Sequence, residues 1–418
     1  MAARRQALAV AARAVEQRLN ADTSDHVGPT RPCPQCGQPA RYAGRRRKTL
    51  ESVLGSLTLA RAYYHCAACD AGVCPRDAAL GLEGTSLSPA VTRMVGAVGA
   101  MVSFVEGQAL LHDLAGVEVE AKQVERTAEA LGPEIAADEH GVITPDPPSA
   151  PTMYLGVDGT GVPMRTAALA GRTGKQPDGS AKTREVKLVT VWTAEGRDAD
   201  GIPVRDRGSV TYSAALESAA SPNAVDAFSA FAQRVDREAQ RRGFDCTPRR
   251  VVLRDGAAWI WHLADDLFPG ARQIVDLFHA KQHLSDVGKA IDGAGTDLAR
   301  QWARLHHDEL DAGHLRALCH ALRAHAPTHP DARRCWQYVT HHRARMRYPA
   351  FRAQGLCVSS GVVEAGCKVA IGTRLKRTGM HWTVAGADAI IALRCCRLSG
   401  RFEDFWERRS TRARREAA

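Results

Sequence analysis

The sequence predicts an α/β protein built on a mixed sheet, preceded by a small cysteine-held sheet and a helical region. Three observations predict this. Over residues 152–400 apolar strands come first in a row and then alternate with helices. Residues 31–80 carry two Cys-x-x-Cys pairs, and residues 84–140 switch to helical spacing. The chain has 418 residues, 44% hydrophobic and 24% charged, which is globular composition with length for several domains. Lysine and arginine number 56 against 46 acids, a formal charge of +10. That balance points to a polyanionic partner, most often nucleic acid. The opening residues 1–20 are interrupted by Arg13, Glu16 and Arg18, which argues against a secretory signal. The longest apolar run, residues 94–105, lies between Arg93 and Glu106 and is too short to span a bilayer. Membrane and secreted classes are therefore not expected.

Residues 1–30 read as an N-terminal helix. Cys33 and Cys36, then Cys66 and Cys69, form two knuckles able to complete a tetrahedral thiolate site for structural Zn2+. Leu57, Leu59 and Ala62 alternate with polar residues between them, the layout of a zinc ribbon over 31–80. Arg45, Arg46, Arg47 and Lys48 are expected on the ribbon's loop, where a hairpin tip meets DNA phosphates; a solvated charge run is the plainer alternative. Cys74 and the seven scattered cysteines read as buried thiols. In residues 84–140, Ser88-Pro89 starts a helix with an apolar stripe of Phe104, Leu110, Leu111 and Leu114 ending near Gly116. A second helix follows from about Glu120, with Lys122, Gln123 and Arg126 on its polar side. Two helices about a glycine turn suggest helix-turn-helix; simple helical packing gives the same pattern. The proline-rich residues 141–151 read as a linker.

After the linker, YLGVDGTGV places Asp158 within a buried strand, and strands follow at 185–192 and 210–214. Residues 224–242 read as a helix through Phe228, Phe231 and Val235. The short strand at 251–254 ends at Asp255, and another at 273–275 ends at Asp276. Sites in α/β sheets gather at the carboxyl ends of strands. Asp158 and Asp255 could lie side by side there, with Glu364 of SSGVVEAGCK as a third acid on a helix whose small neighbours Ala365 and Gly366 allow close packing. Three converging carboxylates persist only around cations; Mg2+ or Mn2+ suits oxygen donors and phosphodiester chemistry. Singly, each acid has a plainer role, in Asp-Gly turns or at a helix N-terminus.

His279 and His283 are one helical turn apart and suit packing or DNA contact better than a metal pair. Residues 297–347 are helical and rich in His and Arg. Arg374, Lys376 and Arg377 are expected to hold a DNA backbone, with Trp382 stacking on an unpaired base or buried in the core. Residues 401–418 read as a basic, frayed C-terminal tail. Gly171 to Lys175 superficially matches a nucleotide loop but fails the Walker pattern at Leu169 and Gln176.

Together the CPQC and CAAC knuckles, YLGVDGTGVPMR, TREVKLVTVW, VVLRDGAAWI, IVDLFHAKQHL, SSGVVEAGCK, RLKRTGMHW and IIALRCCRLSGRFEDFW resemble a DDE transposase of bacterial insertion sequences, closest to the ISKra type. The resemblance covers most of the chain. It implies an RNase H-like catalytic domain over 152–400 with a helical insertion at about 290–350. It implies a catalytic triad of Asp158, Asp255 and Glu364 holding Mg2+ or Mn2+, and an Asp-x-x-His element that puts His279 near the site. Asp276 competes with Asp255 for the second place; the strand-Asp-Gly context of Asp255 parallels that of Asp158. The resemblance also implies double-stranded DNA as partner (element ends and target), a homo-oligomer on DNA, and residence in the bacterial cytoplasm at the nucleoid. The alternatives are a non-catalytic zinc-ribbon DNA-binding regulator and a purely hydrolytic nuclease of the same fold.

Overall fold

A computed structural model describes residues 2–141, 150–174, 176, 179–217, 228–256, 258–359 and 361–417. The expected linker at 141–151 falls largely outside the described residues. The chain divides into two units, Met1–Asp138 with Gly400–Ala418, and Glu139–Ser399.

The first unit opens with helix α1 (Ala2–Ala21) and a four-stranded antiparallel sheet, β1 (Thr30–Pro32), β2 (Pro39–Ser52), β3 (Gly55–Cys66) and β4 (Ala71–Val73), in that order. Strand β4 pairs only with Tyr64–Cys66 of β3, so the rest of β3 lacks a strand partner on that side and its amides need other acceptors. Side chains supply them: Glu16 Oε2 accepts from Thr58 N at 2.7 Å, Asn20 Oδ1 from Ala60 N at 2.7 Å, and Asp25 Oδ2 from Ala62 N at 2.7 Å. Helices α2 (Pro75–Leu80), α3 (Pro89–Met101), α4 (Phe104–Leu110) and α5 (Ala121–Glu139) follow. Ser88 caps α3, and Ser103 with Glu106 forms a capping box on α4. After α4 a π-helical turn, Leu111–Ala115, ends at Gly116, whose φ of 69° suits glycine. Val91, Val95, Leu111, Val117 and Val124 form the core beneath these helices.

The C-terminal residues are not a frayed tail. They form a helix, Phe402–Ala417, with Phe402 and Phe405 buried. Arg408 pairs with Asp138 at 2.7 Å and Arg409 with Glu134 at 2.7 Å, so its cations face acids of α5.

The second unit holds a five-stranded mixed sheet. Its strands are β5 (Thr152–Pro163), β6 (Thr183–Thr193), then, after a small ribbon of β7 (Gly196–Arg197) and β8 (Pro203–Val204), β9 (Thr211–Ala215), β10 (Arg249–Arg254) and β11 (Arg272–Val275). The spatial order is β11-β10-β5-β6-β9. β6 runs antiparallel to both of its neighbours, β5 and β9, while β10 is parallel to both β5 and β11. Side chains alternate along a strand. Met153, Leu155 and Val157 of β5 therefore face one core with Phe231, Val235, Ile260 and Phe268, from α6 (Ala230–Arg241), α7 (Ala258–Leu267) and the residue just beyond. The intervening Gly156 and Asp158 face the other side.

Helices α8 (Leu277–Asp292), α9 (Asp297–Asp311), α10 (Leu315–His325), α11 (Pro330–His342) and α12 (Tyr348–Ala353) come next. The chain returns to the sheet through α13 (Gly361–Gly366), a π-helical stretch Cys367–Gly372, α14 (Thr373–Leu375) and α15 (Val384–Leu398). No helix among the described residues is long and apolar enough to cross a membrane.

Candidate functional site

Leu155 of β5 pairs with Val252 of β10. Asp158 and Asp255 each stand three residues beyond that pair, so they occupy matching positions on adjacent parallel strands, Asp255 just past the end of β10 and Asp158 within the longer β5. Arg254 pairs with Val275 across to β11, which brings Asp276 into the same row. A cavity of about 330 Å3 opens at this row, and its lining includes Asp158, Asp255, Asp276, His279 and Glu364.

Each acid has a distinct setting. Asp158 accepts a hydrogen bond from Gly159 N at 2.7 Å and another from the Cys367 thiol. Burial raises its pKa, and the nearby charge of Asp255 adds to the rise. Asp255 is more open, with 43% of its side chain exposed. Between them Arg254 is buried, donating to Val157 O and lying 3.8 Å from Asp255 Oδ1. Burial draws its guanidinium down to about 9, against the pull of both aspartates. Asp276 is buried and accepts from His279 N at 2.6 Å as the N-cap of α8. Glu364 is exposed at the cavity, on the first turn of α13. That helix lies close on the sheet because Gly156 has no side chain: a Cβ there would stand 2.1 Å from Val363 Cγ2. Gly366 is constrained likewise by Leu188, Thr190 and Tyr212.

The second cluster lies in the first unit. The sulfurs of Cys33, Cys36, Cys66 and Cys69 all lie within 4.8 Å of one another, with Cys33–Cys69 at 3.7 Å and Cys36–Cys66 at 3.6 Å. Zinc–thiolate bonds of about 2.3 Å give a tetrahedral sulfur–sulfur edge of about 3.8 Å, so these four residues fit a zinc ion with every position filled. Amide hydrogens of Gln35 and Cys36 aimed at the Cys33 sulfur hold its thiol down at about 7. Cys69 is pushed up to about 12 despite the Ala71 amide, because neighbouring sulfurs compete for protons. Among the described residues this is the one group of three or more His, Cys, Asp or Glu drawn so tightly together. Neither the carboxylates of the cavity nor the histidines of α9–α11 form such a group.

Several residues expected to face DNA are elsewhere. Arg45 to Lys48 lie within strand β2, while the hairpin tip is at Val53 and Leu54. Arg45 is tied to Asp25 at 3.0 Å and Lys48 to Asp77 at 3.3 Å. Arg46 lies over the Tyr63 ring at 3.4 Å, and it and Arg47 are exposed. Arg374 is fully buried, its guanidinium 5.3 Å from the Trp382 ring. Trp382 is buried too, its Nε1 donating to Leu375 O at 3.0 Å and its amide to Pro163 O at 3.1 Å. Both are packed inside the sheet's return and not presented to solvent. Lys376 is exposed and donates to Thr160, two residues past Asp158, and Arg377 is also exposed. Arg254, Cys367 and Phe278 also meet the acids or their cavity without having been singled out in the sequence. A charge closing the buried run VVLR was the available signal for Arg254.

No family model matches the chain. No curated protein matches it either. Among solved structures, a "Drosophila P element transposase strand transfer complex" is similar at 10% identity over 80% of this chain and 84% of that chain, with a TM-score of 0.27. A likeness that shallow carries no weight for the chemistry of this chain.

Proposed function

We propose that this protein is a DDE transposase of the ISKra type, cutting insertion-sequence ends and joining the freed 3′-hydroxyl to target DNA. The observation that carries the reading is the opening of Asp158, Asp255 and Glu364, from three separate segments, into one cavity where β5 and β10 run side by side in parallel. Three antiparallel strands extended on one side by two parallel ones support an RNase H-like core. Asp255 is the second acid in this reading, because the Asp276 carboxylate is engaged in capping α8.

The donor set is all oxygen and fits a hard divalent cation. Asp158, Asp255 and Glu364 are the residues that would hold it, as one ion or a pair. Bound there, Mg2+ or Mn2+ supplies the Lewis acidity that activates an attacking oxygen and steadies the departing one. The chain's own residues do the rest. Asp158 and Asp255 hold their carboxylates on a hydrogen-bonded frame. Glu364 closes the cavity from α13, and Arg254 offsets part of the crowded negative charge. His279 lines the same cavity, within reach of DNA entering it. Water first displaces the 3′-oxygen at the element's end, breaking one P–O bond as another forms. The released hydroxyl then attacks a target phosphodiester in line.

In the first unit, Cys33, Cys36, Cys66 and Cys69 hold a structural zinc, and the ribbon with helices α4 and α5 recognises the terminal repeats. Exposed Arg46 and Arg47, with Lys122 and Arg126 of α5, supply phosphate contacts there. Joining two ends calls for a homo-oligomer on DNA.

The test is a strand-transfer assay with end-containing DNA and Mg2+, run beside Asp158→Asn. Joined product that disappears with the substitution is the expected result. Cut but never joined DNA would make the protein a nuclease; binding with no cutting would make it a regulator.

A further inference from the structure

We infer that Tyr338, on α11 of the helical segment, is a positioning residue for Asp255 and ties that segment to the acidic cavity. The inference rests on Asp255 being a metal-holding acid, as proposed above.

Asp255 follows the last residue of β10, where the ladder has ended and its carbonyl needs a donor from elsewhere. Tyr338 provides one: its hydroxyl donates to Asp255 O at 2.7 Å, from 83 residues away in sequence. The same ring covers Gly256. A Cβ at Gly256 would stand 2.5 Å from Tyr338 Cε2, and the residue's φ of 103° lies where only glycine is at ease. The Asp255-Gly256 turn is thus shaped to receive this phenol twice over, in backbone conformation and in space.

The ring also reaches the histidines beside the cavity. It packs on His283 at 4.6 Å between centroids and on His342 at 5.0 Å, and it lies 6.5 Å from His279. His279 in turn packs on His283 at 4.7 Å. A second grip follows α11, where Arg345 lies over the Trp261 ring at 4.6 Å and donates to Gln273 at 2.6 Å. Trp261 is on α7, just beyond the Asp255 turn, and Gln273 is on β11. Helices remote in sequence therefore hold the turn from behind while the Asp255 carboxylate projects forward, partly exposed. A hydrogen bond to the main chain of Asp255 limits where its carboxylate can point, the orienting role that outer hydrogen bonds to ligand side chains play at metal sites.

The experiment uses the full, zinc-loaded chain and reads Mn2+ binding from the electron paramagnetic resonance of free Mn2+, without DNA. Tyr338→Phe keeps the ring and removes the hydroxyl. It is expected to weaken Mn2+ binding about 10-fold and to raise the Mg2+ concentration for half-maximal cleavage in step. DNA affinity measured in Ca2+ should stay unchanged. Mn2+ affinity equal to that of the unsubstituted protein would overturn the inference. Hydrogen–deuterium exchange of the peptide around Asp255 gives a readout independent of metal: exchange should quicken in Tyr338→Phe, and unaltered exchange would also overturn it. Asp158→Asn separates the two levels. If that variant binds Mn2+ as the unsubstituted protein does, the metal-site reading itself fails; if it loses Mn2+ while Tyr338→Phe does not, only the positioning role fails.

Discussion

The two clusters of ligand-type side chains in this molecule follow opposite rules. Four cysteines of the ribbon converge until their sulfurs nearly touch, whereas the acids of the cavity share a row without forming so tight a group. Thiols can be neutral and share protons, so they approach closely with little repulsion. Carboxylates are charged at neutral pH, and in a partly buried cavity their mutual repulsion is poorly screened. The thiol cluster is built by two local knuckles; the row of acids is built by strand register, from segments far apart. The difference teaches that compactness picks out the candidate zinc site, whereas the metal site proposed at the acids has to be found by strand register.

The contrast can be broken most severely at the ribbon. Cys66→Ser removes one of four ligands on which a structural zinc depends, and such sites contribute on the order of 10 kcal/mol to folding. Zinc content by atomic absorption should fall from one per chain towards none, with loss of the strand signal in circular dichroism. Full zinc retention would remove the ribbon from the account. Next comes Asp158→Asn, expected to lower DNA cleavage by a factor on the order of 1,000. Its melting temperature should hold or rise, because burial already opposes the charge. The sign runs the same way in pH. With the folded pKa raised above 3.8, Asp158 favours folding while protonated, and that contribution is lost as pH climbs through the raised value. The Asp158→Asn variant should lack this part of the pH dependence of melting.

Smaller effects sharpen the same comparison. Gly156→Ala places a methyl against Val363 and should destabilise by about 1–3 kcal/mol. Because α13 carries Glu364, cleavage should fall in step with the melting temperature; lost stability with intact cleavage would show the seat of Glu364 to be more tolerant. His342 gives the mildest test. Burial first, then His341 and Arg345, depress its pKa from 6.5 to about 4. Stability from the neutral ring is present above pH 6.5 and declines as pH falls towards about 4, since the unfolded chain takes up the proton first. His342→Gln should flatten the dependence of melting temperature on pH between pH 7 and 5, about the span in which a free imidazole titrates.

The row of acids was legible because each ends or interrupts an apolar run, and strand register then aligns what sequence leaves separate. The small residues around Glu364 were legible for the same reason, since a helix seated on a sheet excludes side chains at Gly156 and Gly366. The cations misled. A run such as Arg45 to Lys48 looks the same whether it faces solvent or acids, and Asp25 and Asp77 lie well outside it. Arg374 and Trp382 were harder still: a buried guanidinium over an indole leaves no mark in a sequence rich in arginine. The basic C-terminus paired with Asp138 and Glu134, some 270 residues earlier, a distance over which no local pattern informs. Tyr338 escaped notice because its partner is a main-chain carbonyl, which every residue carries.

The most direct measurement is anomalous scattering from crystals of the full chain grown or soaked with Mn2+. Manganese peaks within about 2.5 Å of carboxylate oxygens of Asp158, Asp255 and Glu364 are the expected result. Diffraction that places manganese nowhere in that cavity, with the three acids ordered and the cysteine cluster filled by zinc, would contradict the account.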